Sequence, residues 1–372
     1  MMVPGTGLPG GCRVALLLAI LAGTQAAAQP SPSPAPATDG EAPLLTVEVR
    51  YLTNRRRDLR GVAADAYSGE RGVPEYGRCR AEFEPIKALD QLASRLPFYL
   101  PSERREVVAA VPEAAPVFWA RLGETLDDDP AARPVVVFVH GYSNGFTRNC
   151  RMTAELQRSL GERATVLMFS WPSNGRPTDY VSDQADLEWS VPLLAELLRR
   201  LGERFGSARV QLVAHSLGSR GSLLALQRLG ADGVSLPVVD QLVLLAPDYD
   251  AQTFVELLPR LRPLAGSITL YASDNDTPLR VSEELNGYPR LGQAGEHLTV
   301  AEGMETIDVT SAGLYQALGH EYYYYHPSVA ADLVAHIASG AAAAQRSGLQ
   351  LRRRGSGRYW ELLPPQPVAE TP

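Results

Sequence analysis

The sequence predicts an α/β protein with a mostly parallel central sheet, helices on both faces of it and an N-terminal edge-strand extension. Three observations carry the prediction. Short segments of apolar and β-branched residues recur along the chain, as in strands buried on both faces. Helical patterns separate them, as parallel strands joined by crossovers require. The stretch Asp183–Phe205 sets Leu187, Val191, Leu194, Leu197, Leu198 and Leu201 on one face, the period of a helix packed against a sheet.

In chain order, residues 1–28 read as a secretory signal. Arg13 precedes the apolar stretch Val14–Ala22, and Ala26-Ala27-Ala28 offers a small-residue cleavage site. The run is short for a permanent membrane span. A periplasmic or secreted protein is expected, with an uncleaved inner-membrane anchor as the alternative. Residues 29–43 are rich in Pro, Ser and Ala and read as a linker. Residues 44–340 form the domain, with an extension over 44–130. In that extension Leu45–Tyr51 and Arg105–Val111 read as edge strands, with a helix near Ile86–Leu96 between them.

The sheet strands are predicted at Val135–Val139, Thr165–Phe169, Val210–Ala214, Gln241–Leu245, Ser267–Tyr271 and Thr306–Val309. Helices are predicted at Arg148–Leu160, Asp183–Phe205, Leu217–Leu229, Ala251–Leu261 and Pro327–Ile337. The connection from 245 to 267 holds one helix and leaves no room for a large cap. Leu279–Glu302 reads as a small flap, so an open site is expected. Residues 341–372, with an alanine-rich stretch, Arg352-Arg353-Arg354 and a Pro-rich end, read as a low-complexity, basic, solvated tail.

Net charge is −7 and no basic stripe is present, which argues against nucleic-acid binding. Lys87 is the only lysine, a composition bias with no functional reading. Cys79 and Cys150 follow the signal. In an oxidising compartment they can pair across about 70 residues, worth about 4 kcal/mol in the chain-entropy model; two buried thiols are the alternative. No Cys/His spacing resembles a metal site, and neither metal nor cofactor is expected.

Chemistry enters at Val210–Gly221, where an apolar strand meets a small-x-Ser-x-Gly turn that runs straight into a helix. This is the arrangement of the nucleophile elbow of α/β-hydrolases, with Ser216 at the bend and Ala214 and Gly218 as its small neighbours. Gly141-Tyr142-Ser143-Asn144-Gly145 is a closer literal match. Ser143, however, follows its strand in a wide loop, and the next helix starts only near Thr147. His140-Gly141 instead resembles the loop that supplies an oxyanion N–H, assigned to Tyr142, with Leu217 giving the second.

A serine needs a histidine base, and the histidine a carboxylate, in the chain order Ser, acid, His. That order excludes His140. His215 points to the opposite face from Ser216 and reads as support for the elbow. His297 and His336 read as structural. His320, on a loop after Gly319, is the preferred base, with His326 as rival. Asp276 in Ser-Asp-Asn-Asp-Thr-Pro-Leu is the preferred acid, with Asp248 as rival, while Asp274 and Asp250 suit turns or helix caps. Trp171 and Tyr249, with Tyr142, Phe146 and Tyr180, are candidates for an apolar substrate pocket, although aromatics also simply pack.

The chain resembles bacterial esterase/lipase-superfamily proteins described as α/β-hydrolases of unknown function. The runs that carry the resemblance are Phe138–Asn144, Phe169–Ser173, Leu212–Gly218, Leu245–Asp248, Tyr271–Asp276 and Gly319-His320. Tyr51-Leu52-Thr53-Asn54-Arg55 and Tyr76-Gly77-Arg78-Cys79 resemble the N-terminal signature of that family. The resemblance spans about residues 46 to 338 and implies a parallel hydrolase sheet and a Ser216, Asp276, His320 triad, without implying a substrate. The expected activity is hydrolysis of a small-molecule or lipid acyl ester. Thioester or peptide cleavage, or a non-catalytic envelope binding module, are the alternatives.

Overall fold

A computed structural model describes residues 44–364 apart from 59–65, 87–88, 90–95, 97–98, 128–132, 235 and 314–317. The signal and linker predicted at 1–43, and most of the helix predicted near Ile86–Leu96, lie outside the described residues. Among the described residues no helix is long and apolar enough to cross a membrane.

Among the described residues, eleven strands form one sheet: β1 (Leu45–Arg57), β2 (Tyr67–Pro85), β3 (Glu103–Glu113), β4 (Val135–Val139), β5 (Thr165–Ser170), β6 (Val210–His215), β7 (Val239–Leu245), β8 (Ala265–Ala272), β9 (Glu305–Asp308), β10 (Leu349–Arg354) and β11 (Gly357–Leu362). Their order across the sheet is β10-β11-β9-β8-β7-β6-β4-β5-β1-β2-β3. From β11 to β1 every neighbouring pair runs parallel, and the antiparallel pairs lie only at the two flanks.

The helices are α1 (Ala115–Asp127), α2 (Phe146–Leu160), α3 (Tyr180–Phe205), α4 (Leu217–Ala231), α5 (Ala251–Leu261), α6 (Thr277–Asn286), the single turn α7 (Tyr322–Tyr325) and α8 (Pro327–Ser339). Strand periodicity divides β4 cleanly between two cores. Val135, Val137 and Val139 pack with Phe118, Leu194, Leu226 and Phe254 from α1, α3, α4 and α5. Val136 and Phe138 pack with Met152, Val329 and Leu333 from α2 and α8. Each such fully buried Leu or Phe contributes about 2 kcal/mol, which explains why the central strands carry no polar alternation.

The six central strands stand where the apolar runs predicted them, within two residues at each end. Other expectations need correction. Leu45–Tyr51 is not an edge: β1 extends to Arg57 and lies between β5 and β2, so β3 is the flank. The 19-residue β2 went unpredicted because Gly69, Gly72, Pro74 and its many charges break the usual strand signature.

The predicted tail is in part folded. Leu349–Arg354 and Gly357–Leu362 form a hairpin about Gly355-Ser356, and β11 joins β9 through Trp360 and Glu361. The arginine run therefore lies on a strand, with Arg352 Nε at 2.5 Å from Glu361 Oε2. The flap expected over Leu279–Glu302 is a helix and a packed loop: Leu279, Leu291 and Ala294 are buried, and Gly292 rests on Ala246 and Pro247. The Cys79–Cys150 alternative resolves in favour of a disulfide that joins β2 to α2, with Cα atoms 6.3 Å apart.

Candidate active site

Ser216 directly follows β6 and precedes the first residue of α4, with φ 52° and ψ −126°, a backbone state that L-residues rarely adopt. The surroundings hold it there. Its N–H donates to Leu245 O (2.9 Å), and its carbonyl accepts from Asp248 N (3.1 Å) and Ser219 N (3.0 Å). The bend also needs a bare backbone beside it. A Cβ on Gly218 would lie 2.4 Å from His140 O, and one on Gly141 would lie 2.8 Å from Ser216 Cβ. Although Ser216 occupies the N-cap of α4, its side chain makes no capping hydrogen bond. Leu217 is the first helical residue, so its N–H is among those with no partner inside the helix. Ser143 shares a positive φ, 56°, but stands in a loop that ends at Gly145, one residue before α2, and not between a strand and the first residue of a helix.

Asp276 and His320 meet. His320 Nδ1 lies 2.8 Å from Asp276 Oδ2 and 3.0 Å from Oδ1. Asp276 also caps α6, accepting the Leu279 N–H at 3.0 Å. It is 1 % exposed, and burial raises its carboxyl pKa against the opposing pull of His320. Burial also pulls the His320 imidazole down, but the charge and hydrogen bond of Asp276 outweigh it, and its pKa is raised above the ordinary 6.5. His215, the residue before Ser216, ties the two chain segments together. Its Nε2 contacts His320 O at 3.3 Å, and its ring lies 4.7 Å from that of His320. Burial holds His215 well below the ordinary histidine pKa, so it is neutral.

The rivals are engaged elsewhere. Asp248 accepts from Arg290 Nε (2.7 Å), Ser282 Oγ (2.6 Å) and Tyr180 OH (2.7 Å). His326 Nε2 bonds Ala312 O at 2.8 Å at the start of α8. Asp250 caps α5 through Thr253 N, as its sequence position suggests. His336 lies between Thr269 Oγ1 and Ala341 O in the core.

One pocket candidate differs from expectation. Trp171 is completely buried, stacks on His140 and donates its indole N–H to His140 O (2.9 Å), so it packs and offers no surface to a substrate. Tyr249 is half-buried against the core. Tyr142 is half-buried and meets Tyr180 edge-on at 5.3 Å. The site is also less open than expected: Ser216 is only 2 % exposed.

A buried polar network beneath the Gly141–Asn144 loop went unread in the sequence. Arg55, on β1, donates to Asn144 O (2.6 Å), Ser173 O (2.7 Å) and Ser170 Oγ (2.9 Å). Asp183 accepts from Ser143 N (3.0 Å), Asn174 N (3.2 Å) and Ser173 Oγ (2.5 Å). The available signal was the run Tyr51-Leu52-Thr53-Asn54-Arg55, which resembles the family's N-terminal signature without implying a structural role. Among the described residues no group of His, Cys, Asp or Glu has the arrangement of a metal site.

Comparison with known proteins gives three kinds of likeness. A family model described as alpha/beta hydrolase of unknown function (DUF900) matches residues 119–336. Uncharacterized protein alr1448 of Nostoc sp. (strain PCC 7120 / SAG 25.82 / UTEX 2576) is 41% identical over 51 residues, which is 14% of this chain and 13% of that protein. Among solved structures, a Pyrobaculum calidifontis esterase is 12% identical with a TM-score of 0.38, covering 81% of this chain and 87% of that one. EstE1, a thermophilic carboxylesterase cloned from a metagenomic library, is 13% identical with a TM-score of 0.34, covering 82% and 92%. RedJ-thioesterase of Streptomyces coelicolor is 16% identical with a TM-score of 0.33, covering 57% and 88%.

Proposed function

The chain belongs to the family of alpha/beta hydrolases of unknown function (DUF900), and on that premise we propose that it is an exported serine hydrolase that cleaves carboxylic esters. The observation that carries the reading is a buried serine on a strained strand-to-helix bend, with a carboxylate-oriented histidine anchored to the residue before it. In this mechanism Ser216 Oγ attacks the acyl carbonyl while His320 takes its proton, and Asp276 steadies the imidazolium. The N–H groups of Tyr142 and Leu217 hold the oxyanion. The alkoxide leaves with the proton from His320. Water, deprotonated by the same ring, then releases the acid and restores Ser216. The acyl substrate is a small molecule or lipid, and no cofactor takes part.

The disulfide supports export, because such bonds persist in oxidising compartments. The apolar N-terminal segment, read as a signal or an inner-membrane anchor, supports it too.

The test is labelling by a fluorophosphonate probe alongside hydrolysis of short-chain p-nitrophenyl esters, for wild type, Ser216→Ala and Ser143→Ala. Loss of both signals in Ser216→Ala alone supports the reading. A folded wild type that neither labels nor turns over ends it. Parallel thioester and peptide substrates decide the bond cleaved.

A further inference from the structure

Arg55 is an unusual hub. It lies 1 % exposed, outside the span matched by the family model, and its hydrogen bonds to the described residues all end on neutral acceptors. Those of the guanidinium reach four segments. Nε binds Ser170 Oγ on β5. Nη1 binds Ser68 O on β2 (3.4 Å) and Ser173 O beyond β5. Nη2 binds Asn144 O and His140 Nε2 (3.4 Å) beyond β4. Five N–H groups meet five acceptors, a geometry that the planar fork of arginine permits and a lysine ammonium does not.

The contact with His140 fixes a proton. Arginine only donates, so His140 Nε2 accepts and the ring proton lies on Nδ1. That Nδ1–H in turn donates to Gly141 O at 2.7 Å, and Asn144 Nδ2 adds a second donor at 3.3 Å. A trans peptide carries its N–H opposite its C=O. Pinning Gly141 O therefore sets the direction of the next N–H, that of Tyr142, on the loop whose Gly141 abuts Ser216.

We propose that Arg55 is a positioning residue for acyl transfer. Through the tautomer of His140 and the carbonyl of Gly141, it aims the Tyr142 N–H at the oxyanion. The inference rests on the hydrolase reading above.

The experiment compares the full chain with Arg55→Lys, His140→Phe and Arg209→Lys. Arg209 gives the control, because its guanidinium likewise holds carbonyls, Leu126 O and Arg133 O, at the opposite end of β4. His140→Phe keeps a ring against Trp171 but removes both nitrogens, and serves if Arg55→Lys fails to fold.

In Arg55→Lys and His140→Phe we expect kcat to fall by about 10²–10³, the cost of one oxyanion donor, with KM within about twofold. Amide exchange over residues 140–146 should speed up in both. Arg209→Lys should lower Tm and leave kcat and loop exchange unchanged. Equal kcat losses in Arg55→Lys and Arg209→Lys, or loop exchange unchanged in Arg55→Lys and His140→Phe, overturn the assignment. If wild type neither labels nor turns over, the hydrolase reading fails and the catalytic role falls with it. The exchange data still decide whether Arg55 orders the loop.

Discussion

One carboxylate serves two purposes at the site: Asp276 orients His320 and caps α6. Asn caps a helix about as well as Asp, so Asp276→Asn should separate the two. It should leave thermal stability nearly intact while lowering kcat by about 10³–10⁴ through the wrong imidazole tautomer. A large Tm loss with modest kcat loss would show capping to be the main role.

The pH response follows from His320, whose raised pKa has a definite sign. In the proposed mechanism its neutral form is the base, so kcat/KM should fall with decreasing pH through a midpoint above the ordinary 6.5. The same proton acts oppositely on stability. A folded-state pKa above the unfolded one stabilises fully below the unfolded value and is lost as pH rises through the folded value. A pH–rate profile with its acid limb below 6.5 would contradict this. As candidates, Ser216, His320 and Asp276 are legible in sequence because each sits in a short local pattern. Arg55 is not: its acceptors lie 13 to 118 positions away, and only the assembled sheet brings them together.

At the scale of elements, the disulfide fastens β2 to the helix that begins just beyond the Gly141–Asn144 loop. Its sequence separation of 71 corresponds to about 4 kcal/mol in the chain-entropy model. Reduction should therefore shift the urea midpoint markedly downward. An unchanged midpoint with and without reductant would remove the cross-link from the stability account. The elements themselves divide by how local their signals are. Central strands such as β4 and β6 are readable because burial on both faces demands unbroken apolar runs. The strand β2 and the hairpin β10–β11 carry polar, exposed faces, and they are strands because of what they pair with. The Gly355-Ser356 turn was a usable hairpin signal there, overshadowed by the charge of the arginine run.

At the scale of the whole molecule, the sheet is open among the described residues, with two outermost strands. One is β3, beginning Glu103-Arg104-Arg105-Glu106, and the other is β10, ending Arg352-Arg353-Arg354. Both therefore present dense charge where an incoming strand would seek backbone partners, a common way for proteins to discourage self-association. Arg104 and Arg353 are exposed. Replacing them with isoleucine should leave the fold intact, since neither enters the core, while light scattering rises steeply with concentration. Scattering equal to wild type would show that twist or neighbouring loops guard the edges instead. If scattering rises as expected, the arginine run acquires a meaning in colloidal terms: it keeps a long sheet apart from its own copies.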